Sequence, residues 1–337
     1  MLIFTIRIIK SHDLQQYLIL LAMHSFVMIK NTVYLSLLLI ASTLFIGCRN
    51  NQQQSNTLAK RVIIIGLDGF SAEGFRKAKH PHIDNLFANG SLSLTTRPVM
   101  PSVTLPNWTS HLTGSGPEET GVDGNKWTLK NHKLNPLETD SQGYYPSIFK
   151  VLKEHVPNIK IAYYYNWAEL INPINKRYLD EISFEENDGY EENYSRATKF
   201  AVDHQTEPTF IFLYSVHTDH AGHKYKWMSS AYINAIEKAD TAIGRLMENL
   251  KNNDIYHDTH FLLITDHGGI ENGHGGMTAN EMNVPWAITG PGINKQPSMT
   301  AFNSNKNTSL VVARLFGIDH IPKSWTGIIP QSIFAKQ

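Results

Sequence analysis

The chain has one cysteine, Cys48, among 337 residues, so its folded domain closes no disulfide and must rely on its core and on any bound metal. An excess of charge is missing too. With 30 Lys+Arg against 30 Asp+Glu, nothing in the composition recruits an anionic membrane surface, and no binding of duplex nucleic acid is expected. No internal repeat is visible. What remains is 42% hydrophobic residues, enough for one large core, and 16 histidines, which permit metal chemistry without demonstrating it.

The first 48 residues do not belong to that core. From Met28 the sequence reads Met-Ile-Lys-Asn, then an apolar run Val33 to Ile46, then Gly47-Cys48 and a polar tract. A basic start, a short apolar run and a small residue before Cys48 predict an exported protein. The run Leu44-Phe-Ile-Gly-Cys resembles a bacterial lipobox, with Phe45 where Leu is usual, which implies a lipid anchor on Cys48 and a place in the periplasm or cell envelope. The rival is an uncleaved signal anchor with an incidental cysteine. Residues 1–27 read as an over-extended start upstream of Met28, and 49–60 as a polar linker before a single domain over 61–337.

Within that domain, buried strands are predicted at Arg61–Leu67, Thr209–Val216 and Phe261–Ile264, each an apolar run that stops at a polar residue or a glycine. A short helix capped by Gly90 is expected after His80, a long amphipathic helix over Ser229–Asn249, a strand at Val284–Thr289 and a closing helix from Ser309. The acidic stretch Asp180–Glu192 reads as a solvated loop or a substrate-selecting rim. Alternating strands and helices predict one α/β domain with a mainly parallel central sheet flanked by helices.

Polar residues at the strand ends carry the chemistry. Asp68 follows the first strand, and is a candidate ligand or a turn-initiating residue before Gly69. Asp219 and His223 lie in a loop after Thr209–Val216, where Asp-x-x-Gly-His lets a glycine fold both side chains toward one ion. Asp266 and His267 end the third strand, with His274 a loop's width beyond; carboxylate and imidazole together suit zinc or a similar divalent ion, although a hydrogen-bonded turn would use the same pair. Thr104, near a helix start marked by Pro106, is either a cap or a nucleophile set where free N–H groups favour an anion. Asn125, after a glycine-rich run, is a neutral donor for a non-bridging oxygen or a turn residue.

Taken in order, Gly66-Leu-Asp-Gly, Pro101-Ser-Val-Thr-Leu-Pro-Asn, Thr113-Gly-x-x-Pro-Glu, Asp219-x-x-Gly-His, Thr265-Asp-His-Gly and His274-Gly resemble the alkaline phosphatase superfamily, above all its nucleotide pyrophosphatase/phosphodiesterase branch. The resemblance covers the whole mature domain. It implies an alkaline phosphatase-like α/β sandwich that holds two zinc ions, or manganese or another divalent ion. Asp68, Thr104, Asp266 and His267 would surround one metal, and Asp219, His223 and His274 would hold the other. Thr104 would be the nucleophile that becomes a phosphothreonine, with Asn125 on a phosphate oxygen of a small phosphate-ester substrate. Two departures stand out: Gly269 replaces a methionine, and His274 follows closely where the family has a long insertion.

The rivals lie in the same superfamily. A sulfatase would need Cys or Ser in a Cys/Ser-x-Pro-x-Arg setting, which Thr104-Leu-Pro-Asn does not offer. A phosphomonoesterase would present an extra cation, a role open to Lys126, and a phosphonate hydrolase would use the same core. From another class, the chain could be a catalytically silent lipoprotein that binds metal or phosphate.

Overall fold

The computed structural model describes residues 59–335 together with Met23. The leader at 1–48, its Cys48, and most of the linker at 49–60 lie outside the described residues. Seven strands form one sheet: β1 (Arg61–Leu67), β2 (Ser91–Thr96), β3 (Lys160–Tyr165), β4 (Glu181–Phe184), β5 (Thr209–Ser215), β6 (Thr259–Ile264) and β7 (Val284–Thr289). Helices follow the order α1 (Ala72–Lys77), α2 (Pro81–Phe87), α3 (Thr104–Thr113), α4 (Pro117–Thr120), α5 (Ile148–His155), α6 (Tyr190–Asp203), α7 (His217–Tyr225), α8 (Ser230–Asn252), α9 (Ala279–Met282) and α10 (Thr308–Leu315).

The spatial order is β2-β7-β6-β1-β5-β3-β4. All pairs from β6 to β4 are parallel, as the alternating pattern predicts, and β7 alone is reversed, pairing antiparallel with both β6 and β2. Only the four-residue α9 stands between β6 and β7, too short for a crossover, so the chain turns back along the strand it has just left. β1, β5 and β6 are mostly apolar and buried at every position, on both faces. One core layer places Val62, Ile64, Phe210 and Phe212 under α3, α5 and α10; the other places Ile63, Ile65 and Leu213 under α6 and α8.

A missing side chain sets where α3 lies. A Cβ on Gly66 would stand 2.7 Å from the Trp108 ring, so only glycine lets that indole settle on β1. Trp108 also donates to Asp68 Oδ2 at 3.0 Å, which ties the middle of α3 to the end of β1.

Three local expectations change. The acidic stretch is not a loop over its length, because Glu181–Phe184 adds as edge strand β4 beside β3 and α6 starts at Tyr190; the Tyr165 and Phe184 rings pack 5.1 Å apart across that ladder. Residues 217–225 are helix α7, so Asp219 and His223 meet through four-residue helical spacing and not through a folded loop. Gly90 does not cap α2, whose C-cap is Ala88; its lack of a side chain instead admits the β7 backbone, since a Cβ there would lie 2.2 Å from Ile288 O.

His111 locks α3 onto β6 and α10. Trp286 Nε1–H donates to Thr308 Oγ1, which lies 2.8 Å from His111 Nδ1, while His111 Nε2 donates to Thr265 O at 3.0 Å. Burial holds this imidazole neutral, with its pKa pushed down to about 3. A base so depressed contributes stability that is full above its ordinary 6.5 and is lost as pH falls toward 3. His217, pushed down to about 4, acts in the same window. His111→Gln keeps a donor and an acceptor, costs about 1–3 kcal/mol at neutral pH, and should flatten the fall of melting temperature on acidification. An acid limb of unchanged slope would show that His111 does not bind protons on unfolding.

Candidate active site

The carboxyl ends of β1, β5 and β6, three neighbours in the sheet, deliver the polar residues to one place. Asp68 directly follows β1, and Asp266 and His267 follow β6 by one turn of backbone. All three are fully buried. Asp219 and His223 come from α7, just beyond β5, and His274 comes from the loop after β6.

The hydrogen-bond partners of the histidines fix their protonation. His267 Nδ1 lies 2.8 Å from Gly268 O, His274 Nδ1 lies 2.9 Å from Ser102 O, and His223 Nδ1 lies 2.8 Å from Asn272 O. A carbonyl only accepts, so each Nδ1 carries the proton and each Nε2 presents a lone pair. The three lone pairs converge. His223 Nε2 and His274 Nε2 are 3.2 Å apart, and the His267 and His274 rings stack at 3.6 Å.

Carboxylate oxygens face those lone pairs. His267 Nε2 stands 3.1 Å from Asp266 Oδ2, 3.7 Å from Asp68 Oδ1 and 3.4 Å from Thr104 Oγ1. Asp219 places Oδ2 at 3.4 Å from His223 Nε2 and Oδ1 at 3.8 Å from His274 Nε2. Asp68 Oδ1, Asp219 Oδ1 and Asp266 Oδ2 are buried with no hydrogen-bond partner. Acceptors aimed at acceptors, without a proton between them, fit divalent cations and little else. Two groups have metal-holding geometry, Asp219 with His223 and His274, and Asp68 with Asp219 and His267, their donor atoms all within 4.8 Å of one another. Asp219 therefore stands between both groups. Asp266 belongs to neither group, but its Oδ2 lies 3.1 Å from the same His267 Nε2 that Thr104 Oγ1 approaches at 3.4 Å.

The electrostatics agree with the geometry. Burial raises the Asp68 pKa to about 6, against the pull of hydrogen bonds from Tyr214 and Trp108. Burial, and then the charge of Asp68, push Asp219 and Asp266 well above the usual carboxylate range. His267 is driven well below its ordinary value by burial and by His274. Left alone, the cluster resists ionisation; a bound cation supplies the missing countercharge.

Thr104 is the first residue of α3, with Val103 as its N-cap. Pro106 is thus third in the helix, and valine offers no capping side chain. Asn125 fills that gap from a distant loop, its Oδ1 accepting from Leu105 N–H at 2.8 Å. The bond holds the amide beside Thr104 and directs its acceptor inward, so Nδ2 is the end left for a ligand. Thr104 is buried, Asn125 half-buried and the neighbouring Lys126 exposed.

Several supporting residues carry no signal in the sequence. Tyr214 donates to Asp68 Oδ2 at 2.6 Å beside Trp108, so this oxygen is held by two donors and Oδ1 is aimed into the site. Asn305 donates to Asp266 O at 2.9 Å. Glu281 accepts from Gly276 N–H and Thr278 N–H at 2.7 and 3.0 Å, shaping the loop beyond His274.

The missing insertion is replaced by a tight turn. Ile270 and Gly273 bridge one another, and Glu271 takes a left-handed φ of 52° between them. Asn272 Nδ2 donates to His223 O at 2.8 Å while His223 Nδ1 donates back to Asn272 O. That reciprocal pair docks the turn on α7 and so brings His274 to His223.

Residues 62–284 match the model of the type I phosphodiesterase / nucleotide pyrophosphatase family. Ectonucleotide pyrophosphatase/phosphodiesterase family member 3 of Bos taurus is 29% identical over 215 residues, which are 61% of this chain and 24% of that protein. The bis(5'-adenosyl)-triphosphatase ENPP4 of Bos taurus is 24% identical over 245 residues, covering 69% of this chain and 52% of that protein. The chain thus spans about a quarter to a half of the length of these relatives. In fold it is similar to human ectonucleotide pyrophosphatase/phosphodiesterase 5, with a TM-score of 0.68 at 15% identity over 82% of this chain and all of that one. The murine counterpart, solved in complex with AMP, gives 0.66 at 14% identity with the same coverage. With its site residues in the family's order and the family model spanning β1 to the start of β7, the chain belongs to the type I phosphodiesterase / nucleotide pyrophosphatase family, within the alkaline phosphatase superfamily.

Proposed function

We propose that the protein is a two-cation phosphodiesterase of nucleotide pyrophosphatase type, with Thr104 as nucleophile and Asn125 as phosphate-oxygen donor. One observation carries this reading: three imidazole Nε2 lone pairs and three unpartnered buried carboxylate oxygens converge within reach of a threonine hydroxyl. Asp68, Asp266, His267 and Thr104 would hold one ion, and Asp219, His223 and His274 the other, with Asp219 near enough to serve both. Bound there, two divalent ions, which we take to be zinc, supply the positive charge that acidifies the Thr104 hydroxyl and offsets charge on the entering and leaving oxygens.

Thr104 has the position its role demands. At the first turn of α3 its oxygen sits in the positive field of the helix amino terminus, where an alkoxide is favoured. Attack on phosphorus forms the Thr104–O–P bond as the bond to the leaving oxygen breaks; water then cleaves the phosphothreonine and returns the hydroxyl. Asn125 Nδ2 meets a non-bridging oxygen as charge grows there, a role that a donor fixed by Leu105 performs without reorganising. The AMP held in the murine relative supports a nucleotide-like phosphate ester as substrate. Exposed Lys126 beside Asn125 is a second contact for the phosphate or its substituent.

The leader read from the sequence supports export and acylation at Cys48. Cys48→Ala should move the protein from the membrane pellet to the soluble fraction of the envelope; retention in the pellet would leave the uncleaved anchor as the explanation.

The purified protein should bind two zinc ions per chain and hydrolyse a nitrophenyl phosphodiester faster than the matched monoester or phosphonate. Thr104→Ala should lower kcat by about 10³-fold or more while much of the metal is retained. Metal without hydrolysis of any of the three substrates would favour a binding protein, and faster monoester turnover would move the assignment within the superfamily.

Chelation should lower the melting temperature by about 5–10 °C, the effect of losing ligands held at roughly 100 times their dissociation constants. The sign of its pH dependence follows from the raised carboxyls. Metal-free, they stabilise the fold below their ordinary 3.8 and lose that contribution as pH rises through about 6 for Asp68 and through the raised values of Asp219 and Asp266. The gap between loaded and stripped protein should therefore widen from pH 5 to pH 8; calorimetry showing a constant gap would exclude these residues as ligands.

A further inference from the structure

Gly269 stands where the family carries methionine, and the structure shows what fills the vacated space. A Cβ on Gly269 would lie 2.2 Å from Trp227 Cε2, and one on Gly222 would lie 2.7 Å from Trp227 Cδ2 and Cε2. The indole is therefore seated between α7 and the backbone of the loop after β6, 5% exposed. Its Nε1–H donates to Gly69 O at 3.0 Å and its N–H to Glu271 O at 2.7 Å. Both flanking residues, Lys226 at φ 75° and Met228 at φ 68°, are left-handed, a strained backbone for side-chain-bearing residues that persists only when the surroundings enforce it.

From this seat the ring faces both histidines of the outer cation group. Its centroid is 5.2 Å from that of His223 at 83° and 6.0 Å from that of His274 at 64°. His223 needs such support most, since His274 also stacks on His267 at 3.6 Å. His223 sits in the last turn of a short helix with its side chain 44% exposed, and His274 sits in a loop; each has its Nδ1 anchored to one carbonyl. One hydrogen bond fixes a ring's distance but leaves rotation about that bond, and a packed wall removes the rotation.

We propose that Trp227 is a positioning residue for the outer cation site, an indole that replaces the side chain Gly269 lacks and sets the spacing of His223 and His274. The proposal rests on the two-cation reading above and specifies how one of the two sites is built. It also predicts an asymmetry. Asp68, Asp266 and His267 are fully buried at strand ends, and Gly69 O keeps a second donor, Tyr232 Oη at 2.7 Å, when the indole N–H is removed. Loss of Trp227 therefore strikes the outer site and spares the inner one.

The test is calorimetric titration of zinc into the chelator-stripped full chain, with circular dichroism to check folding. Wild type should take up two equivalents. Trp227→Ala should weaken one of them by about 10–100-fold and leave the other within about twofold, and Gly269→Ala, whose Cβ collides with the ring, should do the same. Trp227→Ala combined with Gly269→Met should recover most of the loss, because a flexible thioether chain can refill the space. Trp227→Phe, a milder change, should fall between. The proposal is overturned if folded Trp227→Phe and Trp227→Ala retain both affinities, if both sites weaken equally, or if the double variant binds no better than Trp227→Ala. A wild-type chain that takes up fewer than two equivalents would instead refute the two-cation reading, and this proposal with it.

Discussion

The structure depends on a repulsion that only protonation or a bound cation relieves. Three carboxylates and three proton-free imidazole nitrogens face inward, with Asp266 Oδ2 only 3.1 Å from His267 Nε2 and His223 Nε2 only 3.2 Å from His274 Nε2. Where Asp68 and Asp219 both ionise, with carboxylate oxygens within 4.8 Å of one another, the two like charges repel by about 3–4 kcal/mol at an effective dielectric near 20. A few such pairs rival the ~5–15 kcal/mol that holds a whole domain together. The fold tolerates them because three adjacent parallel strands, buried on both faces, deliver the groups from a frame too rigid to splay.

Around that centre, donors are spent on the atoms that face away from it. Trp108 and Tyr214 take Asp68 Oδ2, Gly69 N–H takes Asp266 Oδ1 at 3.0 Å, and three backbone carbonyls take the histidine Nδ1 protons. What is left unpaired is what would face the proposed cations and Thr104. Selectivity of this kind is built from secondary contacts more than from the ligands themselves, since the same residue types with other partners would turn outward or pair with each other. The Gly66–Trp108 contact belongs to the same device, because α3 can bring Thr104 to the strand ends only if its indole reaches the sheet.

The outer half of the site is assembled more economically than a long insertion would do it. A four-residue turn at Ile270–Gly273 exchanges hydrogen bonds with His223, and a single tryptophan fills two glycine-lined gaps. Exposed Met277 lies in the loop beyond His274, and the acidic turn before α6 is tied to α7 through His220 and Asp188, 2.7 Å apart.

The sequence by itself determined the α/β class, the mainly parallel sheet and the identity of the polar residues at its edge. Buried strands write themselves as unbroken apolar runs, and Asp68, Asp266 and His267 follow such runs directly, so their placement needs only strand direction. It did not determine that Asp219 and His223 share a helix face, that residues 181–184 pair as a strand, or that Asn125 caps α3 from a distant loop. Nor could it show that Asp219 stands between both cation groups, or that Trp227 answers Gly269. Those facts are contacts between residues far apart in the chain, fixed by packing against partners that no local periodicity records. The sequence listed the candidate ligands, and only the tertiary structure decided which of their atoms were left free.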